Sequence, residues 1–451
     1  MSQNMYLEEN YAPVAEEITA FDLPIVGRLP AELNGRYLRN GPNPWQVDDP
    51  ANHHWFVGDG MVHGVRLRDG KAEWYRNRWV GSADLSARRG EPDIPGRNWN
   101  DSPSGPNTNV GAFAGTTWAM VEAGGVPVEL TYELETVGRN DFFGTLPGAF
   151  TAHPKVDPDS GEMHAMVYAL PQWMDHVQYV VVAPDGKVRR TVDVPLERPT
   201  MLHDMSLTAR YAVVYDLPCR LDFDLAFAGR FPFSWQPGTG SRVGLLPREG
   251  EASDTIWIDV PECYVFHPMN AFDDANGNVI IDLCVYDTMF AAELNGPFKD
   301  LSRLERWVIN PTSRTVAVTV VDERPAEFPR HRGRMNAKPY QFGYAVAVNP
   351  AEKTWPTVKY DLSTGGRTEF DHGAGRCAGE GVFVGRHGAT VEDDGWLMML
   401  VHDLPQGQTE LVVLDAQDLS RPAVARVQLP QRVPFGFHGN WVSDSSVAPP
   451  A

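Results

Sequence analysis

From residue 107 to near its end, the chain is a succession of short apolar runs separated by tight turns, among them TTWAMVEAG, EMHAMVYAL, TIWIDVP, NVIIDLCVYD, GWLMMLVHDL and TELVVLDA. Runs of this length, rich in β-branched and aromatic residues and bounded by Gly, Pro, Asn and Asp, read as strands. Several meet across PDGK (184–187), DANGN (274–278) and NPTSR (310–314), which predicts meander hairpins, and Asp69-Gly70 in RDGK predicts another. No βαβ alternation points to a parallel sheet. The 41 Gly and 37 Pro, spread along the chain, argue against long helices. A chain of 451 residues built this way is two or three ordinary β domains or one large propeller. No clean repeat of about 40 residues chooses between them.

Two stretches depart from the strand pattern. Residues 1–35 read as an irregular leader with one strand that wraps the rest, and SADLSARRGEPDIPGRNWNDSPSGP (82–106) reads as a long polar loop, functional or mobile. The balance of 39 Lys and Arg against 59 Asp and Glu gives a net charge of −20. No basic stretch offers a footprint for nucleic acid, so nucleic-acid binding is not expected, and nothing implies a protein partner. Cys219, Cys263, Cys284 and Cys377 form neither a CxxC pair nor a disulfide framework, which fits a reducing cytoplasm. The acidic start MSQNMYLEENYAPVAEE has no apolar signal core, and no apolar run approaches the roughly 20 residues of a spanning helix.

Four of the thirteen histidines stand out by context: His153 in TAHPKVDP, His203 in MLHDMSLT, His267 in YVFHPMNAF and His438 in PFGFHGNW. Each lies where an apolar run meets a turn residue, the setting of a strand end. They are 50, 64 and 171 residues apart. That spacing is unlike a local motif such as HExxH and requires a closed fold to bring the residues together. Imidazoles without a thiolate or a directly bound carboxylate suit a redox-active divalent metal at least as well as zinc. Any one histidine taken alone would read as a hydrogen-bonded structural residue.

The four words, extended as TAHPKVDPDSGE, LHDMSLT, VFHPMNAFDDANGNVIIDL and FHGNW, resemble in order and spacing the iron-ligand motifs of the carotenoid cleavage oxygenase family. RYLRNGPNP (36–44), HHWFVGDGMVHGVRL (53–67), NTNV (107–110), VEAGGVPVEL (121–130), GSRVGLLPR (240–248), AEFPR (326–330) and GEGVFV (379–384) carry the resemblance over nearly the whole chain. It implies an all-β fold in one domain (1–451): a seven-bladed propeller with a loop and helical cap over an axial metal, the cap including 82–106 and 220–245. It also implies one Fe(2+) per chain held by His153, His203, His267 and His438, with O2 as co-substrate. Glu135 in ELETVG, Glu327 in AEFPR and Glu380 in GEGVFV match the carboxylates that orient such ligands. A carboxylate accepting the second ring N–H fixes the tautomer and raises basicity.

The implied activity is cleavage of a conjugated C=C bond in an apolar polyene to two aldehydes. Relatives that split stilbenes or phenylpropenes use a Lys directly before the Glu of the word matching VEAGG, and a Tyr upstream of NTN. Val121 stands at the first position, and the loop 97–106 has Trp99 and no Tyr, so the pocket favours a carotenoid or apocarotenoid over a phenolic substrate. Phe56 matches an aromatic position near the iron. Leu225, Phe227, Phe231, Phe233 and Trp235 gather bulky apolar groups near the implied substrate entrance, either as a peripheral membrane contact or as a hydrophobic edge strand and loop buried under the cap. The net charge disfavours adhesion to anionic lipid. A stilbene-cleaving dioxygenase, a non-catalytic carotenoid or retinoid binder, a retinoid isomerase and a zinc hydrolase are the competing readings. The last would more typically have three protein ligands and a nearby Glu base.

Overall fold

The computed structural model describes residues 4–99, 105–297, 299–349 and 351–446. Seven antiparallel sheets of four to six strands form the blades of a β-propeller, and an eighth, two-stranded sheet is an insertion. Six inner strands, Asn109–Phe113, Lys155–Val156, Ser206–Leu207, Tyr264–Asp273, Glu327–His331 and Arg376–Ala378, open blades II to VII in chain order. Blade I is closed by the end of the chain: Gly439–Ser443 pairs with Gly35–Pro42, from Gly35 opposite Ser443 to Arg39 opposite Gly439. Drawing one blade from both ends of the chain locks the ring shut, and radial repetition leaves only short blade edges.

The leader contributes two strands where the sequence suggested one. Thr19–Phe21 adds to the outer edge of blade I along Lys71–Trp79, and Ile25–Gly27 adds to blade VII along Ala425–Gln428. These few residues therefore tie the last blade to the first on the outside, while Gly439–Ser443 ties them on the inside. Successive inner strands begin 46, 51, 58, 63 and 49 residues apart from Asn109 to Arg376, because insertions of different length separate them. Unequal insertions explain why no repeat period is visible.

Turn chemistry follows the residues. Asp69 and Gly70 have φ of 49° and 75°, the pair of positive values that a two-residue type I′ hairpin needs. Within 82–106 the expected loop contains a helix, Ala83–Arg89, capped by the Ser82 side chain, which accepts the Leu85 N–H, and ended by left-handed Gly90. Residues 100–104 of that stretch lie outside the described residues. The blade IV insertion pairs Cys219–Leu221 with Phe233–Trp235 and carries a short helix, Phe223–Phe227, capped by Asp222. All four cysteines are free and buried. Among the described residues, no helix is long and apolar enough to cross a membrane.

Buried polar groups between blades are tightly committed. His164 of blade III is wholly buried; its Nδ1 lies 2.6 Å from the Tyr179 hydroxyl, and its Nε2 accepts from Arg248 Nη2 at 2.9 Å. Burial, reinforced by the Arg248 charge, pushes this imidazole down to about 3. In the unfolded chain it titrates near the ordinary value of about 6.5. Between these values the unfolded state binds one proton more, so the stabilisation is complete above pH 6.5 and is lost as pH falls. The slope from this one group is up to about 1.4 kcal/mol per pH unit. Urea midpoints between pH 6.5 and 4.5 should fall less steeply for His164→Asn than for the natural chain. Equal slopes would show that His164 is protonated in the folded state.

Candidate metal centre

The propeller gathers the four dispersed histidines at its axis. His153, His203 and His438 stand two, three and one residues before the inner strands of blades III, IV and I, while His267 lies within the inner strand of blade V. Their spacing in sequence is therefore the spacing of blades. All four are buried, and one ring nitrogen from each lies within 4.8 Å of the others. His203 Nε2 and His267 Nε2 approach to 3.0 Å.

Three of these rings are held from behind by carboxylates. His203 Nδ1 donates to Glu122 Oε2 at 2.5 Å, His267 Nδ1 to Glu327 Oε2 at 2.6 Å and His438 Nδ1 to Glu380 Oε1 at 2.9 Å. Glu122 comes from blade II, Glu327 from blade VI and Glu380 from blade VII, so every blade supplies one residue to the centre. The carboxylates are themselves fixed. Tyr168 donates to Glu122, Tyr286 and the Phe328 amide donate to Glu327, and the Gly439 amide donates to Glu380. His153 has no such partner; its Nδ1 is 3.7 Å from Asp204, which is bound to Lys155 at 2.8 Å.

Electrostatics follow from burial and these pairings. Burial, with the neighbouring rings, holds His153 well below its ordinary value, and burial takes His438 down to about 4 against the pull of Glu380. Burial also works against a charged His267, but the Glu327 charge and hydrogen bond outweigh it and leave that ring above the ordinary range. Glu380 is pushed down to about 2, because Arg330 and His438 overcome the cost of burying it.

The donor set fits a metal ion. With each Nδ1–H given to its carboxylate, neutral rings at His203 and His267 would point two lone pairs at each other across 3.0 Å. His153 Nε2 is buried without a hydrogen-bond partner. A cation between the rings turns both features from costs into bonds. Two nitrogens bound at right angles to one ion through bonds of about 2.1 Å lie about 3.0 Å apart.

Two expected residues stand elsewhere. Glu135 is at the outer part of blade II, between its third and fourth strands, where its side chain is 56% exposed and accepts from Arg78 Nε at 2.7 Å. The carboxylate that blade II sends to the centre is Glu122, in the VEAGG word, directly after the strand Thr116–Met120. That word was the available signal, since it sits at the end of a buried strand while Glu135 lies in the turn before the strand Thr136–Arg139. Trp99 does not line the site; it packs on Trp173, with ring centres 5.4 Å apart.

A cavity of about 280 Å³ opens onto His203, His267 and His438. Phe56, Val121, Phe231, Phe266, Phe328 and Phe437 are among its walls, and no Lys or Arg is among its described lining residues. The apolar hairpin residues divide between two environments. Phe231 and Phe233 face the cavity, Leu225 and Trp235 are half-buried, and Phe227, 86% exposed, joins Phe223 on the outside. The outer patch is thus Phe223 and Phe227, because the helix turns them away from the strands that carry the other rings.

A closed seven-bladed propeller with four axial imidazoles, three tethered to carboxylates, defines a fold whose centre could hold a metal ion through nitrogen donors only. The family model described as retinal pigment epithelial membrane protein matches residues 11–443. A carotenoid cleavage oxygenase of Mycobacterium tuberculosis is 43% identical, covering 98% of each chain, and a carotenoid 9,10(9',10')-cleavage dioxygenase of Crocus sativus is 31% identical over 98% of this chain and 90% of its own. Among solved structures, a lignostilbene dioxygenase of Pseudomonas brassicacearum has a TM-score of 0.89 at 29% identity, covering 98% of this chain and 99% of its own. A cobalt-substituted Synechocystis apocarotenoid oxygenase has a TM-score of 0.84 at 26% identity, covering 96% and 97%. The chain belongs to the carotenoid cleavage oxygenase family, a family of dioxygenases.

Proposed function

We propose that this chain is a non-haem Fe(II) dioxygenase that cleaves a conjugated C=C bond of a carotenoid or apocarotenoid with O2, giving two carbonyl products. The observation that carries the reading is the convergence of four imidazoles beside an apolar cavity that opens onto His203, His267 and His438 and has no Lys or Arg among its described lining residues. His153, His203, His267 and His438 would hold the iron, which would supply the redox chemistry with dioxygen. Glu122, Glu327 and Glu380 orient the rings and sustain their basicity. The aromatic walls exclude water and align an extended polyene. None of the three glutamates is free to act as a base, since each already accepts an imidazole N–H, and this disfavours a zinc hydrolase. A set this fully connected also disfavours a binder without turnover.

Similarity to the lignostilbene dioxygenase keeps a phenolic substrate as the second reading. Val121 argues against it: an apolar side chain lines the cavity where a Lys would meet a phenolate. Aerobic turnover of the iron-loaded protein with an apocarotenal and a 4-hydroxystilbene, scored by product mass, separates the two. The apocarotenal is expected to be cleaved and the stilbene to be poor. Val121→Lys is expected to raise the relative stilbene rate about 10-fold, the scale of one charge-assisted hydrogen bond. An unchanged ratio would remove the Val121 argument, and stilbene cleavage alone would overturn the polyene assignment.

Helix Ala83–Arg89 and the blade IV hairpin are the segments we assign to the cap, in a single domain. We assign Phe223 and Phe227 to transient contact with the bilayer in which such polyenes dissolve. With a net charge of −20, attraction to lipid would be apolar. Neutral phosphatidylcholine vesicles are therefore expected to retain the natural chain and release Phe227→Asp. Equal flotation of the two would refute the contact.

A further inference from the structure

Of the four axial histidines, His153 alone has no carboxylate within hydrogen-bonding distance of its Nδ1. The nearest is Asp204, whose Oδ2 lies 3.7 Å away, too far for a hydrogen bond. That same oxygen accepts from Lys155 Nζ at 2.8 Å, and Oδ1 accepts the Met205 amide at 2.6 Å. The Asp204 side chain is only 2% exposed, so a buried carboxylate stands beside the ring with a cation as its nearer partner. The other three carboxylates show the reverse order. Glu122, Glu327 and Glu380 meet their rings at 2.5, 2.6 and 2.9 Å, and Arg330, the cation beside Glu380, stands off at 3.6 Å.

An imidazole that binds a metal through one nitrogen must carry its proton on the other. A negative charge near Nδ1 favours that tautomer and makes Nε2 a better donor, and a cation drawing on the same oxygen weakens the effect. The placement of both partners is local. Lys155 stands two residues after His153, at the start of the inner strand of blade III, and Asp204 directly follows His203 in blade IV. Their ion pair therefore joins two neighbouring blades at the positions where each delivers a ligand.

We propose that Asp204 is a positioning residue for His153, selecting the tautomer with the proton on Nδ1, and that Lys155 sets the strength of this action by competing for the same carboxylate oxygen. His153 is then the donor of the four whose hold on a metal is adjustable. The proposal rests on the metal site of the reading above and not on its substrate.

The test uses the full chain with Co(II) as the probe, since its affinity by chelator competition and the paramagnetically shifted N–H resonances of its histidine ligands are both read without turnover. Asp204→Asn should bind Co(II) about 10-fold more weakly, the low end for loss of an orienting carboxylate. It should also displace one ring N–H resonance while the three tethered to glutamates stay in place. Lys155→Met should bind Co(II) about 10-fold more tightly, even though breaking a buried pair lowers the melting temperature of the metal-free chain. Lys155→Arg should match the natural chain. In the Asp204→Asn background, Lys155→Met should leave the affinity unchanged, because Lys155 acts through that oxygen. A pair that merely ties two blades together would weaken binding in both single variants, and charge acting across space would make their effects additive; either result overturns the proposal. Should Asp204→Asn fail to fold, Lys155→Met decides, with tighter binding supporting the proposal and weaker binding overturning it. A natural chain that takes up no Co(II) overturns the metal reading and this proposal with it, whereas uptake with variants that contradict the signs above overturns the proposal alone.

Discussion

His267→Ala is expected to abolish metal retention and turnover together. Its ring supplies a nitrogen from within the inner strand of blade V and lies 3.0 Å from His203 Nε2, so its loss removes a quarter of the donor set. The fold should survive, because Glu327 keeps the Tyr286 hydroxyl at 2.9 Å and the Phe328 amide at 2.6 Å after the imidazole is gone. Metal content by elemental analysis should fall by more than the roughly 10- to 100-fold typical of losing a mere orienting partner. Added Fe(II) should raise the melting temperature of the natural chain, as any ligand specific for the folded state does, and leave that of the variant unmoved. Full metal content in His267→Ala would refute the ligand assignment.

Glu122→Gln is expected to weaken metal affinity about 10- to 100-fold, with Glu135→Gln as its control. Glu122 accepts from His203 Nδ1 through one oxygen and from the Tyr168 hydroxyl through the other, each at 2.5 Å. A neutral amide there accepts a weaker hydrogen bond and lowers the basicity of His203 as a donor. Glu135 has only its surface ion pair with Arg78, and exposed pairs contribute about 0–1 kcal/mol. Chelator competition should therefore strip metal from Glu122→Gln at far lower chelator concentration than from Glu135→Gln, which should match the natural chain. Equal retention by the two variants would contradict the structural placement of these carboxylates.

The reading of Glu135 shows where sequence reasoning stops. A ligand histidine leaves a local mark: His153, His203 and His438 stand shortly before a strand beside turn residues, and His267, inside its strand, lies at the irregularity before Pro268. An orienting carboxylate leaves a fainter one. Glu122 and Glu135 are both acidic residues in Gly-containing stretches of one blade, and only the direction in which the blade carries each one distinguishes them. The same holds for Trp99, which packs on Trp173, and for the apolar hairpin, where a single helical turn sends Phe227 outward while Phe231 faces the cavity.

By itself the sequence determined the all-β character of the chain, its hairpin turns, the four histidines and, through its words, the family. These are properties of short stretches, set by strand periodicity, turn chemistry and donor type. The tertiary structure decided which carboxylate stands behind which imidazole and which rings wall the cavity. Those are relations between blades far apart in sequence, fixed only when closure of the ring by Gly439–Ser443 brings every inner strand to one axis.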